Sequence, residues 1–230
     1  MLNEKKMTSY EKKQFEEGRA LKVLQLIFPE KYRGAVLSDA PDIINAKLGI
    51  GVEVTSSIKQ EVQEGTAKVR ELNDKGVSEL TQRNFEQIKS KGVHVYISPL
   101  QKVVSVFTYW GNTHDPIQAY CNKIEKLNAP HYTTYPENNL FITSWMIDHD
   151  ELESCLEYFK KGQNLTRESL NPEEQTFFDR VYILTDGLFV EINIEKGSIF
   201  RHLIKREQMD NINQSAFKDV FGVSRAEYYG

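Results

Sequence analysis

Cysteine is scarce in this chain: there are two, Cys121 and Cys155, with no Cys-x-x-Cys spacing. That speaks against a disulfide scaffold and against a thiolate metal cage. Both thiols fall at apolar positions of helical patterns, as buried free cysteines of a reducing compartment do. Long hydrophobic runs are lacking too, since none approaches the roughly 18–20 residues that a membrane-spanning helix needs. The opening Met1-Leu2-Asn3-Glu4-Lys5-Lys6 has no apolar core of a secretory signal. A cytoplasmic location with no membrane partner is the default expectation.

An excess of positive charge is also missing. Lys and Arg number 29 against 33 Asp and Glu, for a net charge of −4. A nucleic-acid binder of this balance needs a local basic strip rather than a global field. Residues 195–206, with Lys196, Arg201, His202, Lys205 and Arg206, are locally basic; a solvated strand and turn is the simpler reading. The familiar catalytic spacings do not occur. The five histidines form no HxH or HExxH, there is no GxSxG, and neither cysteine sits in a nucleophile-like context. Gly49-x-Gly51 precedes a strand instead of joining a strand to a helix, so it cannot seat a phosphate on a helix N-terminus.

What remains is an ordinary globular composition, 40% hydrophobic and 27% charged over 230 residues. That length suits one large domain, or a domain with a substantial elaboration, around a real core. Ser9 is a candidate cap for a helix over residues 9–28, with Phe15, Ala20, Val23, Leu24 and Ile27 as its stripe and Pro29 as its stop. Short strands are expected at residues 34–38 and 42–46, and a third at 50–56. In the third, Val52 and Val54 face one way, Glu53 and Thr55 the other. A helical region over 59–91, broken at Gly76 and recapped by Ser78, leads to a strand over 93–98 and a β-rich run over 103–110. Asp115-Pro116 begins a helix carrying Ile117, Tyr120, Cys121, Ile124 and Leu127. A strand over 140–147 is followed by a helix from Asp148 and Asp150 to Gly162, and a short helix begins at Asn171-Pro172. Asp186-Gly187 between apolar runs signals a hairpin, and 198–204 extends it to a meander. The last residues are expected to dock a helical turn through Phe217, Val220 and Phe221. Helix, three strands, helix, strand is thus the order of the first hundred residues, an α/β chain with a mixed sheet.

Two carboxylates stand out in this order. Asp42 begins one strand and Glu53 lies on the next, eleven residues later. Adjacent antiparallel strands run about 4.8 Å apart, so carboxylates on one face can share a hard divalent cation. Glu53 stands between valines in a strand of high burial potential, and an isolated buried carboxylate needs a partner or a metal. Each residue alone reads as a turn aspartate or a surface glutamate; the pair points to a metal site.

The stretch Pro41-Asp42…Glu53-Val54-Thr55 resembles the motif of the PD-(D/E)XK, or restriction-endonuclease-like, nucleases, and the order of elements matches that superfamily's αβββαβ core. The resemblance covers roughly residues 9–98. It implies a nuclease-like core over residues 1–100, with 101–230 as an elaboration of helices and a hairpin or meander on the same domain. It further implies Mg²⁺ or Mn²⁺ on Asp42 and Glu53, DNA as the partner, hydrolysis of phosphodiester bonds, and a homodimer as an option. Catalytic roles fall on Asp42, Glu53 and Thr55. The family's lysine, which orients or activates water and offsets phosphate charge, is replaced here by Thr55, which carries no charge. Either a lysine of the following helix, Lys59 or Lys68, has taken over, or the domain is a catalytically impaired module for nucleic-acid or protein recognition. Glu16 and Glu17 are available as further carboxylates, though a solvated helix face is the simpler expectation. The same holds for Lys123 and Lys126. Tyr109, Trp110, Tyr132 and Tyr135 are candidates for base stacking, with packing as the simpler role.

Overall fold

A computed structural model describes residues 7–75, 81–98, 103–106, 115–145, 147–161 and 176–229. The expected break at Gly76, the cap at Ser78, Tyr109, Trp110, His114, Gly162 and the helix start at Asn171-Pro172 lie outside the described residues.

The first helix, α1 (Ser9–Ile27), is capped one residue earlier than expected. Thr8 accepts from the Glu11 N–H at 3.1 Å, while the Glu11 carboxylate accepts from the Thr8 N–H, a reciprocal capping box. A short α2 (Pro29–Tyr32) follows, then a meander of β1 (Val36–Leu37), β2 (Ile43–Asn45) and β3 (Ile50–Ser56). β2 pairs antiparallel with β3 through Ile43↔Val52, Ile44↔Gly51 and Asn45↔Ile50. Gly51 lies at a close approach: a Cβ there would fall 2.7 Å from Pro41 Cγ and 2.9 Å from the Tyr135 ring. Only glycine lets Pro41, and with it Asp42, settle on this strand.

After β3 come α3 (Gln60–Lys75), α4 (Gln82–Lys89), β4 (His94–Ile97), β5 (Val103–Val106), α5 (Pro116–Leu127), β6 (Glu137–Thr143) and α6 (His149–Lys160). The sheet is completed by β7 (Arg180–Leu184), β8 (Leu188–Asn193) and β9 (Ser198–Leu203), and the chain continues through α7 (Arg206–Phe221) and α8 (Arg225–Tyr229). Among the described residues this gives eight helices and a mixed seven-stranded sheet, in the order β1-β2-β3-β6-β7-β8-β9.

The strand expected over 93–98 forms but does not join this sheet. β4 pairs with β5 in a separate two-stranded sheet, and β6 lies parallel to β3, with Glu53 opposite Leu140 and Thr55 opposite Ile142. The reason is burial. A parallel strand covered on both faces needs a continuous apolar run; Leu140-Phe141-Ile142 supplies it, whereas β4 is mostly exposed. The sheet therefore draws strands from both sides of residue 100.

Two apolar layers sandwich the sheet. Ala20, Val23 and Leu24 of α1 and Met209 and Ile212 of α7 pack on Val52, Val54, Phe141 and Tyr182. On the opposite face Tyr120, Ile124 and Leu127 of α5 and Leu152, Cys155 and Phe159 of α6 pack on Leu140, Ile142, Val181 and Ile183. A third cluster, Val62, Val69, Leu72, Ile88 and Val93, holds α3 and α4 together. The C-terminal segment is a full sixteen-residue helix instead of a single turn. Its apolar residues recur among charged ones, and Gly222 ends it in the left-handed region at φ 71°. No described helix is long and apolar enough to cross a membrane.

Candidate functional site

β2 begins at Ile43, so Asp42 stands where the ladder to β3 would continue. Its side chain takes the place of backbone: the Val54 N–H donates to Asp42 Oδ2 at 2.7 Å. This bond holds the carboxylate against β3 with 1% of the residue exposed. The other oxygen, Oδ1, is buried and accepts no hydrogen bond.

Glu17 of α1 reaches the same spot. It is 8% exposed and its Oε1 is likewise buried without a hydrogen-bond donor. One turn earlier on α1, the Lys13 ammonium lies 3.2 Å from Glu17 Oε1 and 3.5 Å from Asp42 Oδ1. Lys13 is 61% exposed, so a cation drawn from solvent-facing side chain bridges two unsatisfied oxygens. Burial, and then the charge of Asp42, pushes the Glu17 carboxyl up to about 7, an increase that Lys13 only partly offsets. The expectation of a solvated face at Glu17 is therefore corrected. Its neighbour Glu16 does take a separate partner, Arg19. Helical periodicity could not separate the two, because which of them meets Asp42 depends on where α1 crosses the end of β2.

Glu53 points to the opposite face, as the alternation along β3 requires. It is 1% exposed, and α5 and the turn after it supply its partners. Lys123 Nζ donates to Oε1 at 2.7 Å, and Lys126 Nζ donates to the same oxygen. The Tyr132 hydroxyl donates to Oε2 at 2.8 Å. Three residues apart, the two lysines lie on one side of α5. The helix is positioned by its Asp115 cap, which accepts from the Gln118 N–H at 2.8 Å, and by Pro116 in its first turn. Burial by itself raises the Glu53 carboxyl, but the charge of Lys123 and the bonds from Lys123, Lys126 and Tyr132 outweigh it and hold Glu53 below the usual range. Tyr132 is driven the other way, by burial and then by the adjacent Glu53 charge, so its hydroxyl stays protonated.

Lys123 and Lys126 are thus not a merely solvated face, and Tyr132 does more than pack. All three are candidates by sequence; that they meet at Glu53 is not legible there, because they lie 70, 73 and 79 residues beyond it. Of the lysines expected to assist from the next helix, Lys68 pairs with Glu71 on the surface and Lys59 lies near Glu151. Thr55 is half-buried, on the Glu53 face, its hydroxyl 3.5 Å from the Ser56 carbonyl. Tyr135 packs against Gly51.

Two charge clusters therefore form, Glu17 and Asp42 around Lys13, and Glu53 with Lys123, Lys126 and Tyr132. Among the described residues no group of three or more His, Cys, Asp or Glu side chains converges tightly enough to form a metal cage. A hard divalent cation nevertheless fits the donor chemistry. Asp42 Oδ1 and Glu17 Oε1 are buried with only the largely exposed Lys13 ammonium near them, at 3.5 and 3.2 Å, a setting that favours a cation between them. Comparison with protein-family models, curated proteins and solved structures returns no match for this chain.

Proposed function

We propose that the protein is a Mg²⁺- or Mn²⁺-dependent nuclease of the PD-(D/E)XK type, hydrolysing phosphodiester bonds of DNA. The observation that carries this reading is the pair of buried oxygens on Glu17 and Asp42, bridged by the exposed Lys13 ammonium. The order α1, β1–β3, α5, β6, with β6 parallel to β3, supports the superfamily's αβββαβ core, its second helix and fourth strand lying further along the chain than residues 59–98.

Asp42 and Glu17 would hold the cation; Glu53 leaves β3 on the face covered by α5, bound to Lys123, Lys126 and Tyr132. Such a cation supplies Lewis-acid stabilisation of the charge that builds on a phosphodiester during hydrolysis, and it activates water. The chain's own residues supply the rest. The Val54 N–H fixes the Asp42 carboxylate, and Tyr132 fixes Glu53. Lys123 and Lys126, which bind Glu53, would carry the positive charge that Thr55 does not. Thr55 retains a hydroxyl at the rim.

The test compares the wild type with Asp42→Ala and Glu53→Ala on duplex DNA with Mg²⁺ or Mn²⁺. Cleavage by the wild type and background rates for both variants support the reading; equal rates in all three proteins defeat it. A second reading, a non-catalytic module for nucleic-acid or protein recognition, is favoured by the saturation of Glu53 and by Thr55. Absence of divalent-cation binding at millimolar concentration in the folded protein selects it.

A further inference from the structure

The far edge of the large sheet is open. β9 pairs with β8, and among the described residues no strand lies on its other side. The opposite edge, β1, has two residues, whereas β9 has six, long enough to accept another strand. Its hydrogen bonds identify the groups that face outward. The Ile204 N–H donates to the Gly187 carbonyl at 2.9 Å, and the same register continues through Phe189↔His202, Glu191↔Phe200 and Asn193↔Ser198. Bonded pairs alternate in an antiparallel ladder. The N–H and C=O groups of Ile199, Arg201 and Leu203 therefore point away from β8, three donors and three acceptors in a row.

Phe200 is 54% exposed and Leu203 85%, so this edge presents apolar side chains as well as open backbone. Arg201 does not guard it. Its Nη2 donates to both Glu153 carboxylate oxygens, at 2.8 and 2.9 Å, which draws the guanidinium toward α6. Cations bracket the strand: Lys196 precedes it, and Lys205 and Arg206 follow it. All three are exposed, and among the described residues none is paired with a carboxylate. Over residues 195–206 Glu195 is the single acid, against four Lys and Arg. Like charges across a strand pair are destabilising, so two copies of this edge repel each other. The phosphates of a nucleic acid would meet the cations and the N–H groups, but they bring no donor for the three carbonyls. An acidic peptide in extended form satisfies all of these groups.

We infer that β9 is a docking edge for an extended acidic peptide, which joins the sheet as an eighth strand. The peptide backbone pairs with Ile199, Arg201 and Leu203, its apolar side chains cover Phe200 and Leu203 on the two faces, and carboxylates at its ends meet Lys196 and the Lys205–Arg206 pair. From 196 to 205 a strand spans about 30 Å, which sets the peptide at about ten residues. β9 lies four strands from β3, about 19 Å across the sheet, so the edge acts independently of the carboxylate sites.

The experiment titrates the full chain with the capped peptide Glu-Glu-Val-Thr-Val-Thr-Val-Thr-Glu-Glu, and with a counterpart carrying Lys in place of each Glu, by calorimetry and amide hydrogen exchange. The acidic peptide is expected to bind and to slow exchange at the Ile199, Arg201 and Leu203 amides by about tenfold or more, while the Phe200 and His202 amides are protected already. Lys205→Glu/Arg206→Glu should weaken binding by about tenfold, since two exposed charge pairs are reversed. Arg201→Pro removes one outward N–H and leaves the ladder to β8 whole; it should abolish binding. Arg201→Ala loses the same bond to Glu153 but keeps the N–H, and should retain binding. Thermal melting confirms that each variant is folded. No protection of the three wild-type amides at millimolar peptide, equal binding of the lysine peptide, or unaltered binding by folded Arg201→Pro overturns the proposal. So does an oligonucleotide that protects these amides where the peptide does not, which assigns the edge to nucleic acid. A dimer of the chain alone that Arg201→Pro abolishes also overturns it and assigns the edge to a second copy.

Discussion

Glu17→Gln tests the carboxylate cluster through stability alone. Burial and the Asp42 charge raise Glu17 from 4.5 to about 7 in the folded protein. Below pH 4.5 Glu17 is protonated in both folded and unfolded chains and contributes nothing. Between 4.5 and 7 the unfolded chain releases its proton while the folded one keeps it, so stability falls as pH rises. Above 7 the loss is complete. A shift from 4.5 to about 7 corresponds to an upper limit of about 3 kcal/mol, and screening around the exposed Lys13 reduces it to about 1–3 kcal/mol. Glutamine removes the ionisation and keeps the shape. In a chelator at pH 8 the variant should therefore melt higher than the wild type. For a chain of this size about 1–3 kcal/mol is a gain of roughly 2–12 °C. At pH 5 most of the difference should vanish. Adding Mg²⁺ at pH 8 should stabilise the wild type selectively and narrow the gap. Calorimetric melts at both pH values decide the matter. A glutamine variant that is less stable at pH 8, or a difference that does not depend on pH, would refute the placement of Glu17 against Asp42.

Other consequences are as direct. Gly51→Ala places a Cβ 2.7 Å from Pro41; it should cost about 1–3 kcal/mol by overpacking and weaken Mn²⁺ binding through displacement of Asp42, as denaturant melts and a metal titration would show. Glu53 is held below its ordinary pKa, so its stabilisation is present above about pH 4.5 and is lost as pH falls through the lowered value; acid unfolding of Glu53→Gln should show a shallower pH dependence than that of the wild type. Buried Ser57 and Ser144 share a 2.7 Å hydrogen bond at the ends of β3 and β6. Ser57→Ala strands the Ser144 hydroxyl and should lower stability by about 1–3 kcal/mol in chemical denaturation.

Local features of the chain determined much of this protein. Alternation in β3 set Glu53 and Thr55 opposite Val52 and Val54, because side chains on a strand change face at every residue. Asp115-Pro116 began α5, and Asp186-Gly187 joined β7 to β8, because capping and turn chemistry act within a few residues. The short connection between their strands led Asp42 and Glu53 to be expected as a pair, yet the fold gives them separate partners. Tertiary structure decided what those carboxylates touch. It placed β6, not β4, beside β3, since burial on both faces selects the apolar run wherever it lies in the chain. The choice of β6 carries the crossover helix α5 over Glu53 and so delivers Lys123, Lys126 and Tyr132 from 70 or more residues away. In the same way the crossing of α1 over the end of β2, and not its helical period, separated Glu17 from Glu16. Local pattern specifies which side chains leave each face of an element; only packing specifies which faces meet, and the charge balance of this site belongs to that second order of information.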